Sequence, residues 1–265
     1  MIFLIFINLI SIFGYATFGM HPELLVKFEW APPIFAASYS FFAQLQVAVG
    51  FGIMAWECQK AFKWGWLKYL LAAAAISFTM EFLGTTFGVP FGKYSYTSLL
   101  GWKIAGQVPL LIPLSWFFMS LPSHWIADLL LGGHTSPWRR IFLGSFLLMT
   151  WDFTLDPAMS HLTPFWLWES AGSTLLKMPI WNLGGWFFTG VLILSAFELL
   201  QLPRSQRWSH SHFPLKFYFA NLLLPLGLAL VAQLWVSIFA TLAVILGCYS
   251  LARSTRGLRS LRTPS

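Results

Sequence analysis

The sequence predicts an all-α fold: a polytopic transmembrane helix bundle of about seven or eight spans. Three observations predict it. Of 265 residues, 57% are hydrophobic and 9% charged, and mean hydropathy is +0.69. An ordinary soluble domain carries about 25% charged residues, so too little polar surface remains here to face water on all sides. The apolar residues gather in runs close to the roughly 20 residues a helix needs to cross the hydrocarbon. The 16 Lys and Arg fall at or between those runs. The formal charge of +7 therefore reads as membrane topology, with basic loops on the cytoplasmic side, and nucleic acid is excluded as a partner.

The runs follow in order. The first, 2–19, lacks a basic n-region and a small-residue cleavage site, so a retained helix is expected rather than a cleaved signal. Further spans are expected at 34–56, 68–84, 106–131, 141–153 and 183–201. The stretch 217–251 is too long for one straight crossing. Charge decides how it divides. Basic groups sit at Lys60, Lys63 and Lys68, at Arg139 and Arg140, and at Arg204, Arg207 and Lys216. A fourth group is Arg253, Arg256, Arg259 and Arg262. All four lie inside only if 217–251 is a helical hairpin, which gives eight spans with both ends inside. Seven spans would put the tail or the 202–216 loop outside. Residues 1–252 then form a single transmembrane domain, and 253–265 a basic cytoplasmic tail. Cys58 and Cys248 are expected to be free thiols.

The outward loops are 20–33, 85–105 and 154–182, the last two rich in Pro, Gly and aromatics. Long ordered loops are often functional. The run PFWLW at 164–168 is expected to be a re-entrant or interfacial segment over a cavity. Gly84, Gly88 and Gly92 have the small-xxx-small spacing of close helix packing.

Nine carboxylates remain to be placed. Glu23, Glu29 and Glu57 lie at loops or span ends. Asp128 and Glu198 lie near inner span ends, where Arg139 or Arg204 can neutralise them. Glu81, Asp152 and Asp156 differ, because they close apolar runs at one outer depth. An ionisable group in a membrane costs several kcal/mol, so each is a functional candidate. Asp152 and Asp156 share a face if the helix continues that far, although Pro157 is expected to end it. No Lys or Arg is near them in sequence. Two such carboxylates cannot both ionise cheaply, so one is expected to keep its proton beside an ionised partner. The structural alternative is capping and hydrogen bonding to Trp or Tyr. Tyr94 and Tyr96 are expected either as hydrogen-bond donors to a carboxylate or water, or as interface anchors.

Three stretches resemble the CruF-type carotenoid biosynthesis family, which includes carotenoid 1′,2′-hydratases and bisanhydrobacterioruberin hydratases. They are EFLGTTFGVPFGKYSY, WDFTLDPAMSHLTPFWLW and MPIWNLGGWFFTG. The matching positions are Glu81, Pro90-Phe91-Gly92, Tyr94 and Tyr96, then Asp156-Pro157, Trp166 and Trp168, then Pro179, Asn182, Gly185 and Trp186. The sequence departs from the family at STLLKM, where a Tyr-Gly pair is expected before Pro179. The resemblance covers about 80–190.

The resemblance implies addition of water to the terminal double bond of an acyclic carotene end such as that of γ-carotene, on a route to myxol-type glycosides. It implies a carotenoid substrate, membrane lipid around the protein and a downstream carotenoid glycosyltransferase. The expected location is the cell inner membrane or the thylakoid. Such hydration needs an acid for carbon, a cation-stabilising wall and a base for water. Asp152 or Asp156 is the expected acid, with Glu81 as partner or base. Tyr94, Tyr96 and Asn182 are expected to hold the water, and Trp151, Trp166, Trp168 and Trp186 to contact substrate. Water is the co-substrate, and no metal or other cofactor is required.

Three rivals come from other classes. A two-iron hydroxylase needs many imidazoles, but there are six His, and the close pair His210/His212 lies in a basic inner loop. The D-x-x-x-D of Asp152 and Asp156 resembles half of a magnesium-dependent prenyltransferase, without a second acidic motif. A carotenoid or lipid carrier needs the aromatic loops but gains nothing from buried acids.

Overall fold

The computed structural model describes residues 1–132, 136–169 and 174–260, with 252–260 as backbone alone. The chain is helical throughout, with three short two-stranded ribbons in its loops. Helix α1 (Ile2–Gly14) runs on as a π-helical turn, Tyr15–Gly19, and a 3-10 turn, Pro22–Lys27, leads to α2 (Ala31–Phe62). After a second 3-10 turn come α3 (Leu67–Phe87), β1 (Tyr94–Tyr96), β2 (Lys103–Ile104) and β3 (Val108–Pro109). The core of the bundle follows as α4 (Leu111–Leu131) and α5 (Pro137–Asp156). A π-helical turn, Pro157–Leu162, precedes β4 (Trp166–Trp168), β5 (Thr174–Leu175) and β6 (Met178–Pro179). Last are α6 (Ile180–Leu199), the short α7 (Gln206–Ser211), α8 (Phe213–Val231) and α9 (Trp235–Ser260).

Among the described residues, four stretches are long and apolar enough to cross a membrane: Ile2–Gly19, Ala31–Phe87, Ile180–Leu199 and Phe213–Val231. The second contains both α2 and α3. Helices α4 and α5 fall outside this set, and they are the most enclosed. α4 packs on α2, α3, α5, α8 and α9, and α5 on α4, α6, α8 and α9. Their serines, threonines and acids face protein rather than lipid, where polar groups are tolerated.

The stretch 217–251 is divided between two helices. α8 ends at Val231, and Gln233, at φ 57°, turns the chain into α9. The basic side chains of 253–265 lie outside the described residues. Both cysteines are free.

The structure refines expectations at Pro157, at the PFWLW run and at the glycines. Pro157 ends the regular α-helix at Asp156 but does not end the coil. Asp156 itself is right-handed helical (φ −61°, ψ −50°), and the chain continues as a π turn closed by the Thr163 amide on the Ala158 carbonyl. Proline's fixed φ suits a helix, and widening the turn accommodates its missing donor. The PFWLW run does cover a cavity, with Phe165, Trp166 and Trp168 in its wall, and it does so as a strand. Its Trp166–Trp168 segment is a strand paired antiparallel with β1, so that Tyr94 faces Trp168 and Tyr96 faces Trp166. The glycines at 84, 88 and 92 do not pack helices together. Gly88 (φ +79°) is the left-handed C-cap of α3, and Gly92 (φ +96°) turns the loop. Gly84 lets the rings of Phe91 and Tyr94 lie against α3; a Cβ there would be 2.9 Å from Phe91 Cδ2.

The two ends of the bundle carry different polar layers. At one end, Arg140 holds Glu198 with two parallel bonds of 2.8 and 2.9 Å. It also reaches Asp128 at 3.3 Å, and Arg204 makes two 2.9 Å bonds to Asp128. His124 Nε2 lies 2.8 Å from Glu198, and Arg207 donates to Glu57 at 3.1 Å. The expectation of neutralised inner acids is met, with Arg140 in the place given to Arg139. Among the described residues, Lys68, Arg140, Arg204 and Arg207, from three of the basic segments, thus bond at one end, around Asp128, Glu198, Glu57 and the Leu200 carbonyl. The other end holds the remaining acids.

Candidate functional site

Glu81 lies in the last two turns of α3, 4% exposed. Its Oε2 accepts the hydroxyl of Tyr94 and, at 2.7 Å, that of Tyr96. Alternation in β1 would send 94 and 96 to one face, and this is what brings both phenols to one oxygen. Glu81 Oε1 accepts the Trp116 indole N–H from α4 at 2.8 Å. Three neutral donors and no cation hold this carboxyl.

Asp152 and Asp156 project from one face of α5, one turn apart, and both are essentially unexposed. Asn182, on the first turn of α6, bridges them through Nδ2, with 2.8 Å to Asp152 Oδ2 and 2.6 Å to Asp156 Oδ2. Asp156 Oδ1 also accepts Ser160 Oγ at 2.7 Å, Trp166 Nε1 at 3.1 Å and Trp168 Nε1 at 3.4 Å. Asp152 Oδ1 is buried with no protein partner. Hydrogen bonding to Trp and Tyr, the structural alternative, is therefore present together with the clustering.

A cavity of about 90 Å³ joins these groups. Glu81, Asp156, Tyr94, Tyr96 and Asn182 line it, as do Trp151, Trp166, Trp168 and Trp186. Asp152 does not line it and stands behind Asn182 and Asp156. Trp116 stacks on Trp186, with ring centroids 4.2 Å apart, and Trp151 meets Trp186 edge-on at 5.9 Å. Tyr94 and Tyr96 contact Trp168 and Trp166 at 5.0 and 6.0 Å. Among the described residues, the cavity wall holds no Lys, Arg or His. Among the described residues, no group of three His, Cys, Asp or Glu could hold a metal ion.

The site also uses residues that the sequence did not single out. Trp116 and Ser160 look like ordinary members of apolar or loop segments. Gln46 of α2 and Asn221 of α8 line the far wall, joined by a 3.1 Å bond from Gln46 Nε2 to Asn221 Oδ1. Their signal was available: amides inside apolar runs are costly unless paired. The STLLKM departure forms the β5–β6 turn. Leu176 and Lys177 take φ of 57° and 66°, values a glycine adopts without strain. The ribbon still places Met178 beneath Asn182, with Sδ 3.2 Å from Nδ2.

The bisanhydrobacterioruberin hydratase of Haloarcula japonica is 28% identical over 130 residues, which is 49% of this chain and 43% of that protein. The chain therefore spans less than half the length of this curated relative. No solved structure matches significantly. The sequence model of the family described as carotenoid biosynthesis protein matches residues 42–248, a stretch containing every residue of the site. The chain belongs to the carotenoid biosynthesis protein family.

Proposed function

We propose that the protein is a carotenoid hydratase, which adds water across the terminal trisubstituted double bond of an acyclic carotenoid end. One observation carries the reading: two carboxyl groups, Glu81 and Asp156, line an aromatic cavity in an apolar bundle, a third, Asp152, shares the Asn182 amide with Asp156, and the groups bonded to them include no cation. A pure carrier of apolar molecules gains nothing from such acids. Support comes from the family and from the hydratase named for the Haloarcula relative.

In this mechanism the Asp152/Asp156 pair is the acid, and Asp156 is the member that faces the cavity. Its proton passes to the less substituted alkene carbon, the π pair forms the new C–H bond, and a tertiary cation remains. The ionised carboxylate and the faces of Trp116, Trp151 and Trp186 stabilise that cation. Water attacks it and loses a proton to Glu81, which Tyr94, Tyr96 and Trp116 hold in place. The net change is addition of one water. Transfer of a proton from Glu81 back to the aspartate pair, through tyrosine hydroxyls or cavity water, resets the site. Water is the co-substrate and no cofactor enters a step.

The test is expression in a host that makes γ-carotene or lycopene, followed by pigment analysis. Wild type is expected to yield the tertiary alcohol, with its oxygen drawn from labelled water. Asp156→Asn and Asp152→Asn are expected to lower the yield by about 10²–10⁴. Undiminished alcohol from both variants would defeat the assignment. Oxygen drawn from dioxygen would defeat the reaction class.

A further inference from the structure

The acid cavity is too small for a whole carotenoid, and a second hollow begins where it ends. This apolar groove, about 370 Å³, is roughly four times the volume of the 90 Å³ cavity. The two share Ala43, Met159, Phe165 and Leu224 as common wall. One face of α2 runs through both. Ala31, Ile34, Phe35, Ser38, Phe42 and Ala43 line the groove at helical spacing. The same stripe continues as Gln46 and Val47 in the cavity. From Ala31 to Ala43 it rises about 18 Å at 1.5 Å per residue, the length of several isoprene units.

The groove suits hydrocarbon. The Ser11, Ser38 and Thr163 hydroxyls are turned back onto the carbonyls of Ile7, Phe35 and Ala158. Most of the wall comes from α1, the turns after it and the first half of α2. All of these but Phe42 and Ala43 precede position 42, where the family match begins.

We propose that this groove seats the rest of the substrate's hydrocarbon chain while its acyclic end occupies the acid cavity, so that residues 10–42 set which chain lengths and far ends the protein accepts. The inference rests on the hydratase reading for what happens at the chain end. It is separable from that reading in what it says of binding.

The experiment fills the groove away from the acids. A Cβ at Gly14 would meet nothing within 4 Å, so Gly14→Phe places a ring in the groove without a backbone clash. Ser38→Phe does the same from α2. Gly247→Phe, at an exposed position on α9 with the same open surroundings, is the control. Each protein is purified from cells accumulating an acyclic-ended carotene. Two quantities are read: carotene retained per protein, and conversion of that carotene against a monoterpene-sized alkene with the same terminal unit.

Both groove variants are expected to lose at least about tenfold in retained carotene and in its conversion. They should convert the short alkene within about twofold of wild type, and Gly247→Phe should match wild type throughout. Wild-type handling of the long carotene by both groove variants would overturn the proposal, and would leave the groove to lipid chains. Equal loss of long and short substrates in both would overturn it too. If wild type converts neither substrate, the hydratase reading fails. Retention then decides alone: loss in the groove variants supports the groove, and unchanged retention overturns it.

Discussion

The two nitrogen-bound hydrogens of Asn182 have their acceptors on Asp152 and Asp156, so the amide cannot flip without setting its oxygen against two carboxyls. Glu81 is held with similar completeness by two phenols and an indole. The indole N–H of Trp116 only donates, whereas a phenol can also accept. Glu81→Gln therefore keeps the shape but must turn its NH2 toward the tyrosines. It is expected to fold, with stability lower by about 1–3 kcal/mol, and to lose about 10²–10⁴ in turnover. Trp116→Phe removes one donor and keeps most of the stacked surface, and its turnover should fall less. Pigment conversion and thermal unfolding of the purified variants check both. A charged letter inside an apolar run is conspicuous, so Glu81, Asp152 and Asp156 were legible in the sequence. Trp116 was not, because a tryptophan in such a run looks the same whether its N–H serves a carboxylate or the membrane interface.

Helix α6 meets the site at Gly185, and the approach is close. A Cβ there would lie 2.4 Å from Phe91 Cδ1. Phe91 in turn packs against Tyr94 and Trp116, at centroid distances of 6.2 and 6.4 Å. Pushing that ring disturbs two of the three donors to Glu81. Gly185→Ala is expected to cost about 1–3 kcal/mol and to lower turnover as well. The neighbouring Gly184→Ala meets nothing within 4 Å, and is expected to gain about 0.5–1 kcal/mol with turnover unchanged. The β5–β6 turn gives a second check. Lys177, at φ 66°, occupies a left-handed position, and Lys177→Gly is expected to raise stability by about 1 kcal/mol. Thermal shift measures all three. At this scale the helices were legible because apolar runs are long. The two- and three-residue strands were not, since period 2 cannot declare itself over so few positions. The π turn after Asp156 was hidden because Pro157 ordinarily forecasts a helix end, and here only the hydrogen-bond spacing changes.

Across the whole molecule, α3 and α5 carry charge at both ends, Lys68 and Glu81 on α3 and Arg140 and the Asp152/Asp156 pair on α5. Along α5, Arg140 is 12 residues from Asp152 and 16 from Asp156, about 18 and 24 Å at 1.5 Å per residue. The Arg140 layer ties α4, α5, α6 and the 200–216 segment together, with Arg140 and Glu198 only 11% and 20% exposed. Every acid there has a basic partner, and this separates it from the acid cavity, where the donors are neutral. Removing one partner of a buried pair leaves an uncompensated charge and costs about 3–5 kcal/mol. Groups this far apart with no shared partner act additively, within about 0.5 kcal/mol. Arg140→Leu is therefore expected to lower thermal stability markedly while each folded molecule converts pigment at the wild-type rate. The double variant Arg140→Leu/Glu198→Leu should recover much of the lost stability, because it removes the carboxylate that Arg140→Leu leaves with His124 alone. Asp128 keeps Arg204 in both variants, so it does not mask the comparison. A fall in turnover per folded molecule with Arg140→Leu would mean that the two polar layers communicate through α5, and that the acid cavity depends on the charge of the opposite end.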